Sequence, residues 1–298
     1  MYPLKKTPEG FVRISWETAY AEISAKLKSI LSQYGPKSYV YMGGGGQGCH
    51  VDAAFGTSLM KSLGSRYHYN PLGQELTGYF WVCGKMAGRQ NRFILPDDVH
   101  SEMMVAIGWN GMESHQMPRA PLVLREFSKN PDKLLAVIDP RKSETAEIAN
   151  IHIALRPGTD ALLYKSMIAI ILAEGWEKKD YIARHLDGFD RIREWFRDFD
   201  VRGALEICEV DYEAVKNLCR EMSVRKWCCH TDLGVLMNRH STVVSYLVML
   251  LMAICGRLCV PGGNVISGTL VPLGTHTDER NPETWRTQTT DFPAIVGF

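Results

Sequence analysis

Three short stretches of this chain pair an acidic or amide side chain with glycine or proline, and each follows an apolar run. They are Gly108-Trp109-Asn110-Gly111-Met112-Glu113-Ser114-His115, Asp139-Pro140-Arg141-Lys142 and Pro157-Gly158-Thr159-Asp160. A carboxylate at a strand end can accept both hydroxyls of a ribose, and a following arginine can stack on a base or hold a phosphate. Asp160, near the start of a helical pattern, can accept from the N–H edge of a guanine. Plainer roles exist for both acids, a turn for Asp139 and an N-cap for Asp160. Three such loops in a row favour a shared ligand over three unrelated turns.

Two further stretches carry chemistry. Gly43-Gly44-Gly45-Gly46-Gln47-Gly48 places glycines at G-x-G-x-x-G spacing between a strand pattern and a helix pattern. Such a loop lets backbone N–H groups approach a phosphate, or is simply a flexible turn. A nicotinamide site would also need an acid about 20 positions on. No Asp or Glu lies between Asp52 and Glu75. The other stretch, Cys229-His230-Thr231-Asp232 with Met237-Asn238-Arg239-His240, is a polar patch between a strand pattern and a strongly apolar helix. Its groups need partners, either a polar cofactor or the helix end they would cap. No H-x-x-x-H pair, G-x-S-x-G elbow or G-x-x-x-x-G-K-[ST] loop is present.

The elements that must hold these loops follow from periodicity. Ser15 caps a helix over 16–34, stopped by Gly35-Pro36, and Lys37–Met42 reads as a strand. Val51–Leu63 has helical spacing. Met103–Ile107, Leu134–Ile138 and Ile151–Leu155 read as strands, with a helix over Pro121–Ser128 and a polar loop at Trp109–Pro118. Trp109 would then stand near the ligand crevice. From Asp160 the chain turns helical, with segments at Lys179–His185, Asp190–Phe196 and Asp211–Met222. A strand at Lys226–His230 and a buried helix at Ser241–Cys255 follow, and then loop to the end. Short apolar runs alternating with helices define an α/β fold of doubly wound, mostly parallel sheets with helices on both faces. We expect two intertwined Rossmann-like subdomains. Residues 1–100 form the first α/β part and 101–158 an inserted dinucleotide-binding part. Residues 159–265 are a helical continuation returning to the first, and 266–298 an irregular, truncated tail.

Composition bounds the rest. The chain has 298 residues, 45% hydrophobic and 22% charged, with a net charge of +1. That excludes disorder, and it excludes nucleic-acid or membrane binding driven by bulk charge. The run Val243–Cys255 is too short for the ~20 residues of a membrane span. The start, MYPLKKTPEG, lacks an apolar signal segment, which leads us to expect a cytoplasmic protein. Eight scattered cysteines without a C-x-x-C pair read as buried thiols, not as a zinc or iron–sulfur site.

The ordered blocks Tyr2-Pro3-Leu4-Lys5-Lys6, Arg13–Ala19, Ile138–Ala146, Arg156–Ala161 and Gly256–Asn264 resemble the molybdopterin-dependent oxidoreductases of the dimethyl-sulfoxide-reductase and formate-dehydrogenase superfamily. The resemblance implies molybdopterin guanine dinucleotide carrying Mo or W, and a two-electron redox change or oxygen-atom transfer on a small-molecule substrate. It implies that Asn110, Glu113, Asp139, Arg141, Thr159 and Asp160 contact one dinucleotide. It further implies that Gly45, Gln47 and Gly48 of the glycine loop, with Asp232 and His240, face the pterin, and that His240 serves catalysis. Glu75 stands about where the family offers a metal ligand, and a carboxylate is a hard donor suited to Mo(VI). The family's cysteine-rich iron–sulfur module and its C-terminal domain have no counterpart in this sequence. We therefore expect the central part of a longer enzyme, inactive alone and completed by further domains or an electron-transfer partner. A nicotinamide-dependent dehydrogenase and a non-catalytic scaffold subunit of a redox complex are the alternatives.

Overall fold

The computed structural model describes residues 1–43, 50–88 and 94–266. The chain forms two compact units, and the first break falls between Gly73 and Gln74. In the first unit, β1 (Leu4–Thr7) and β2 (Gly10–Arg13) form an antiparallel hairpin. Helix α1 (Trp16–Tyr34) follows. The Ser15 hydroxyl accepts from the Thr18 N–H at its start, and Gly35, at φ 73°, donates to Leu31 at its end. A 3₁₀ turn at Pro36–Ser38 takes the first half of the expected strand, because Pro36 lacks the ladder N–H, and β3 is confined to Val40–Met42. Helix α2 (His50–Ser62) and strand β4 (Tyr67–Tyr69) follow, with β4 parallel to β3. The short helix α3 (Leu72–Glu75) spans the break.

The second unit holds the main core. Its elements are α4 (Thr77–Met86), β5 (Ile94–Pro96), β6 (Met103–Ile107), α5 (Gly111–Ser114), α6 (Ala120–Lys129), β7 (Leu134–Ile138), α7 (Glu144–Glu147), β8 (Ile151–Ile153) and α8 (Asp160–Ala173). Then come α9 (Lys179–His185), α10 (Phe189–Arg197), α11 (Val201–Ile207), α12 (Tyr212–Val224), β9 (Trp227–Thr231), α13 (Leu233–Leu236), α14 (Ser241–Ile254) and β10 (Asn264–Ile266). Four strands make one parallel sheet in the order β8-β7-β6-β9. Every residue of β6 is buried, because the sheet is covered on both faces. Met103, Val105 and Ile107 meet a cluster built with α8 and α14, whereas Met104 and Ala106 meet Leu124 and Phe127 of α6. Helix α14 is buried along most of its length in this core, and no helix among the described residues is long and apolar enough to cross a membrane.

Several expectations are corrected. The break near residue 73 replaces the boundary at 100, since α4 packs on α14 of the second unit. Residues 159–265 also complete the sheet of residues 101–158, since β9 pairs with β6, while α14 packs on α4 and β10 pairs with β5, both before residue 100. Helices α3, α4, α5, α7, α11 and α13 and strands β1, β2, β4 and β5 were not expected, and α5 falls inside the stretch expected as loop at Trp109–Pro118; most are only three or four residues long, too short for a period to show. The chain after Gly263 is not all loop. Strand β10 pairs antiparallel with β5, and the Asn264 side chain caps the open edge of β9. Its Oδ1 accepts the Cys229 N–H at 2.8 Å and its Nδ2 donates to the Cys229 carbonyl at 2.7 Å. Residues 267–298 lie outside the described residues.

Candidate functional site

Strands β7 and β9 flank β6 on opposite sides, so the chain reverses direction across the sheet at β6. In such sheets a crevice opens beyond the carboxyl ends of the strands at that point. Here Gly108 follows β6 in a left-handed conformation (φ +54°), and Gly234 lies in α13 after β9. The two backbones touch. A Cβ on Gly234 would sit 2.5 Å from the Gly108 carbonyl oxygen, and one on Gly108 would sit 2.9 Å from the Val235 nitrogen. Above them lies a cleft of about 430 Å³, walled by Asp139-Pro140, Pro157-Gly158, Asp160 and Asn238. Its size suits a nucleoside rather than a whole dinucleotide.

Two carboxylates converge on this cleft. Asp139 is half-buried, and its Oδ1 accepts the Arg141 N–H at 2.8 Å. Its carbonyl is bonded to the His152 ring at 2.9 Å. Asp160 is the first residue of α8 and is buried. Its Oδ2 accepts from Asn238 Nδ2 at 2.7 Å. Burial raises the Asp160 pKa; its own helix-start N–H and Asn238 oppose that, while the charge of Asp139 adds to it. Beyond the Arg141 N–H on Asp139, and Asn238 with the helix-start N–H on Asp160, no further protein donor reaches these carboxylates among the described residues. Two carboxylates with acceptor positions to spare form a site for a ligand edge rich in N–H and O–H donors. The Tyr164 hydroxyl, one turn further along α8, is buried without a partner among the described residues.

The remaining sequence-derived candidates fall in different places. Thr159 caps α8 by position only, and its hydroxyl donates to the Arg156 carbonyl at 2.7 Å. Arg141 is exposed and reaches Glu144 at 3.3 Å. Glu113 is exposed on α5. Asn110 does not line the cleft; its amide is bonded to Glu144 and Thr145 of α7. Asp232 and Glu75 stand near one another. Burial first, then the charge of Glu75, raises the Asp232 pKa, against the Leu233 N–H and the Ser114 hydroxyl. His240 is exposed at the start of α14, and its N–H donates to Asn238 Oδ1. Gly45, Gln47 and Gly48 lie outside the described residues.

Trp109 is not a crevice residue. It is fully buried in the α6-side core, in tilted ring contact with His230 at 4.3 Å between centroids, and burial lowers the His230 pKa to about 4. Gly111 leaves room for the indole, since a Cβ there would collide with the ring. The sequence reading also missed what Gly108, Gly234 and Asn238 do. Asn238 was visible within a polar patch, but its reach to Asp160 spans 78 positions and has no sequence signal.

The fold and cleft thus define a doubly wound α/β protein with a nucleoside-sized crevice at its switch point. The family model for molybdopterin oxidoreductase matches residues 1–280, and the chain belongs to that family. It is 27% identical over 293 residues to acetylene hydratase of Syntrophotalea acetylenica, covering 92% of this chain and 38% of that protein. It is 25% identical to a nitrate reductase of Symbiobacterium thermophilum, covering 91% of this chain and 37% of the relative. An F420-dependent formate dehydrogenase alpha subunit of Methanocaldococcus jannaschii is 27% identical over 72% of this chain. The solved acetylene hydratase from Pelobacter acetylenicus superposes with a TM-score of 0.69 at 22% identity, covering 89% of this chain and 36% of its own. The chain therefore spans little more than a third of the length of these first two relatives.

Proposed function

We propose that the cleft binds the guanosine end of a molybdopterin guanine dinucleotide, within a longer molybdenum or tungsten oxidoreductase. The observation that carries this reading is the convergence of the Asp139 and Asp160 carboxylates on one cleft. Guanine offers N1–H and N2–H donors on one edge, which match the Asp160 carboxylate; ribose hydroxyls match Asp139. An adenine presents an acceptor where guanine has N1–H, so Asp160 selects against it. Pro140 and Pro157 give apolar walls for the ring. Arg141 and Lys142, exposed after β7, are placed to meet phosphate.

When bound, the metal–pterin group supplies the two-electron redox change or oxygen-atom transfer. This chain's residues bind and orient its nucleotide end. Glu75 is the carboxylate we assign to the metal by its place in the sequence; among the described residues no group of three His, Cys, Asp or Glu side chains stands together to hold a metal ion. A nicotinamide site on the glycine loop is disfavoured, because β4, the strand next to β3, ends in Tyr69-Asn70 and offers no acid to a ribose. Calorimetric titration of the chain with guanosine, adenosine and nicotinamide nucleotides tests the reading. Preference for guanosine monophosphate is expected; equal affinity for the adenosine form, or tighter binding of NADH, refutes it.

A further inference from the structure

We propose that Asn110 is a positioning residue whose amide latches the loop after β6 to helix α7 and so holds two walls of the cleft at a set separation. The inference rests on the guanosine reading for its ligand, but the latch itself is read from the protein. Gly108, on one wall, and Asp139-Pro140, on the next, belong to loops that leave neighbouring strands. The last ladder bond, from the Gly108 N–H to the Ile138 carbonyl at 2.9 Å, joins these loops at their roots, and among the described residues no backbone bond joins them further out. Asn110 supplies the link. Its Nδ2 donates to Glu144 Oε2 at 2.6 Å. Its Oδ1 accepts the Thr145 N–H at 3.2 Å and the Thr145 hydroxyl at 2.8 Å. The same hydroxyl oxygen accepts the Met112 N–H at 3.1 Å, which ties the loop a second time. Arg141 holds Glu144 from the other side at 3.3 Å.

Hydrogen-bond directions make the arrangement specific. Thr145 is fully buried, and its hydroxyl proton is committed to Asn110, so the Asn110 oxygen must face α7. The Nδ2 group must then face Glu144. Both acceptor positions of the amide oxygen are filled, and one N–H is left over. A side chain engaged in this way ties the loop beyond Gly108 to the helix that follows Asp139; it does not itself read the ligand.

A charge swap tests the latch. In Asn110→Asp the Thr145 donors keep an acceptor in kind, but a carboxylate oxygen faces Glu144 and the repulsion drives the loop away from α7, loosening those bonds. Affinity for guanosine monophosphate should fall by about tenfold or more. Exchange protection of the Met112 and Thr145 amides should fall with it. Adding Glu144→Gln returns a donor to the pair with its direction reversed, and should restore both readouts (a merely structural loss would not be rescued). Unchanged affinity and protection in the single variant, or no rescue in the double, overturns the proposal. If the parent chain does not bind guanosine monophosphate yet protection follows the swap, the latch stands and the guanosine reading fails.

Discussion

Replacing Asp160 by Asn should separate binding from stability in opposite directions. The substitution keeps shape and removes one acceptor oxygen and the charge. The new amide oxygen can still take the Asn238 bond, now 2.7 Å long. Its NH₂ group then points where guanine brings N–H donors, so donor meets donor. A hydrogen bond to a charged group is worth about 1.5–3 kcal/mol, and an unmet buried donor costs about 1–3 kcal/mol more. A net loss of ~3 kcal/mol corresponds to about 150-fold weaker guanosine monophosphate binding. Without ligand the effect reverses. Burial raises the Asp160 pKa in the folded state, so the folded chain holds that proton to higher pH than the unfolded chain. The associated stability is present below the unfolded pKa of about 3.9 and is lost as pH rises through the folded value. The variant carries no such loss, so it should melt higher than the parent at neutral pH, with the gap closing on acidification. Calorimetric binding and thermal unfolding between about pH 4 and 7.5 measure both. Undiminished guanosine affinity, or a lower melting temperature at neutral pH, would refute the assignment of Asp160 as a desolvated ligand acceptor.

Three other outcomes follow from the same structure. His230 is buried with its pKa lowered to about 4, so stability should decline as pH falls from about 6.5 through 4, by up to ~3 kcal/mol; His230→Phe, which keeps a ring against Trp109, should flatten that limb in urea melts. Gly234→Ala should push a methyl against the Gly108 carbonyl, destabilise the chain by about 1–3 kcal/mol in denaturant melts and weaken guanosine binding with it. Asn264→Ala should leave the buried N–H and C=O of Cys229 unpaired, and cost about 3 kcal/mol in the same assay.

Local signals carried much of the architecture. Ser15 and Gly35-Pro36 delimit α1 because capping is decided within four residues of a helix end. Strands β6 and β7 were legible because strands buried on both faces read as unbroken apolar runs. The run at α14 was legible as a buried helix for the same reason. The loops carrying Asp139 and Asp160 were legible as loops at strand ends, since acid, proline and glycine cluster there.

Pairing over long separations was not legible. Nothing local says that Asn238 meets Asp160, that Asn264 closes the edge of β9, or that Asn110 turns toward α7 instead of the cleft. Trp109 sat among polar residues in sequence yet is buried, because Gly111 makes room for its ring and the α6-side core receives it. By itself the sequence determined element type and order and the chemistry available at the strand ends, which follow from backbone preferences and hydrophobic period over a few residues. Which side chains share one cleft, and which brace it, was decided by strand order and by contacts between residues tens of positions apart, where the free energy belongs to the assembled pair.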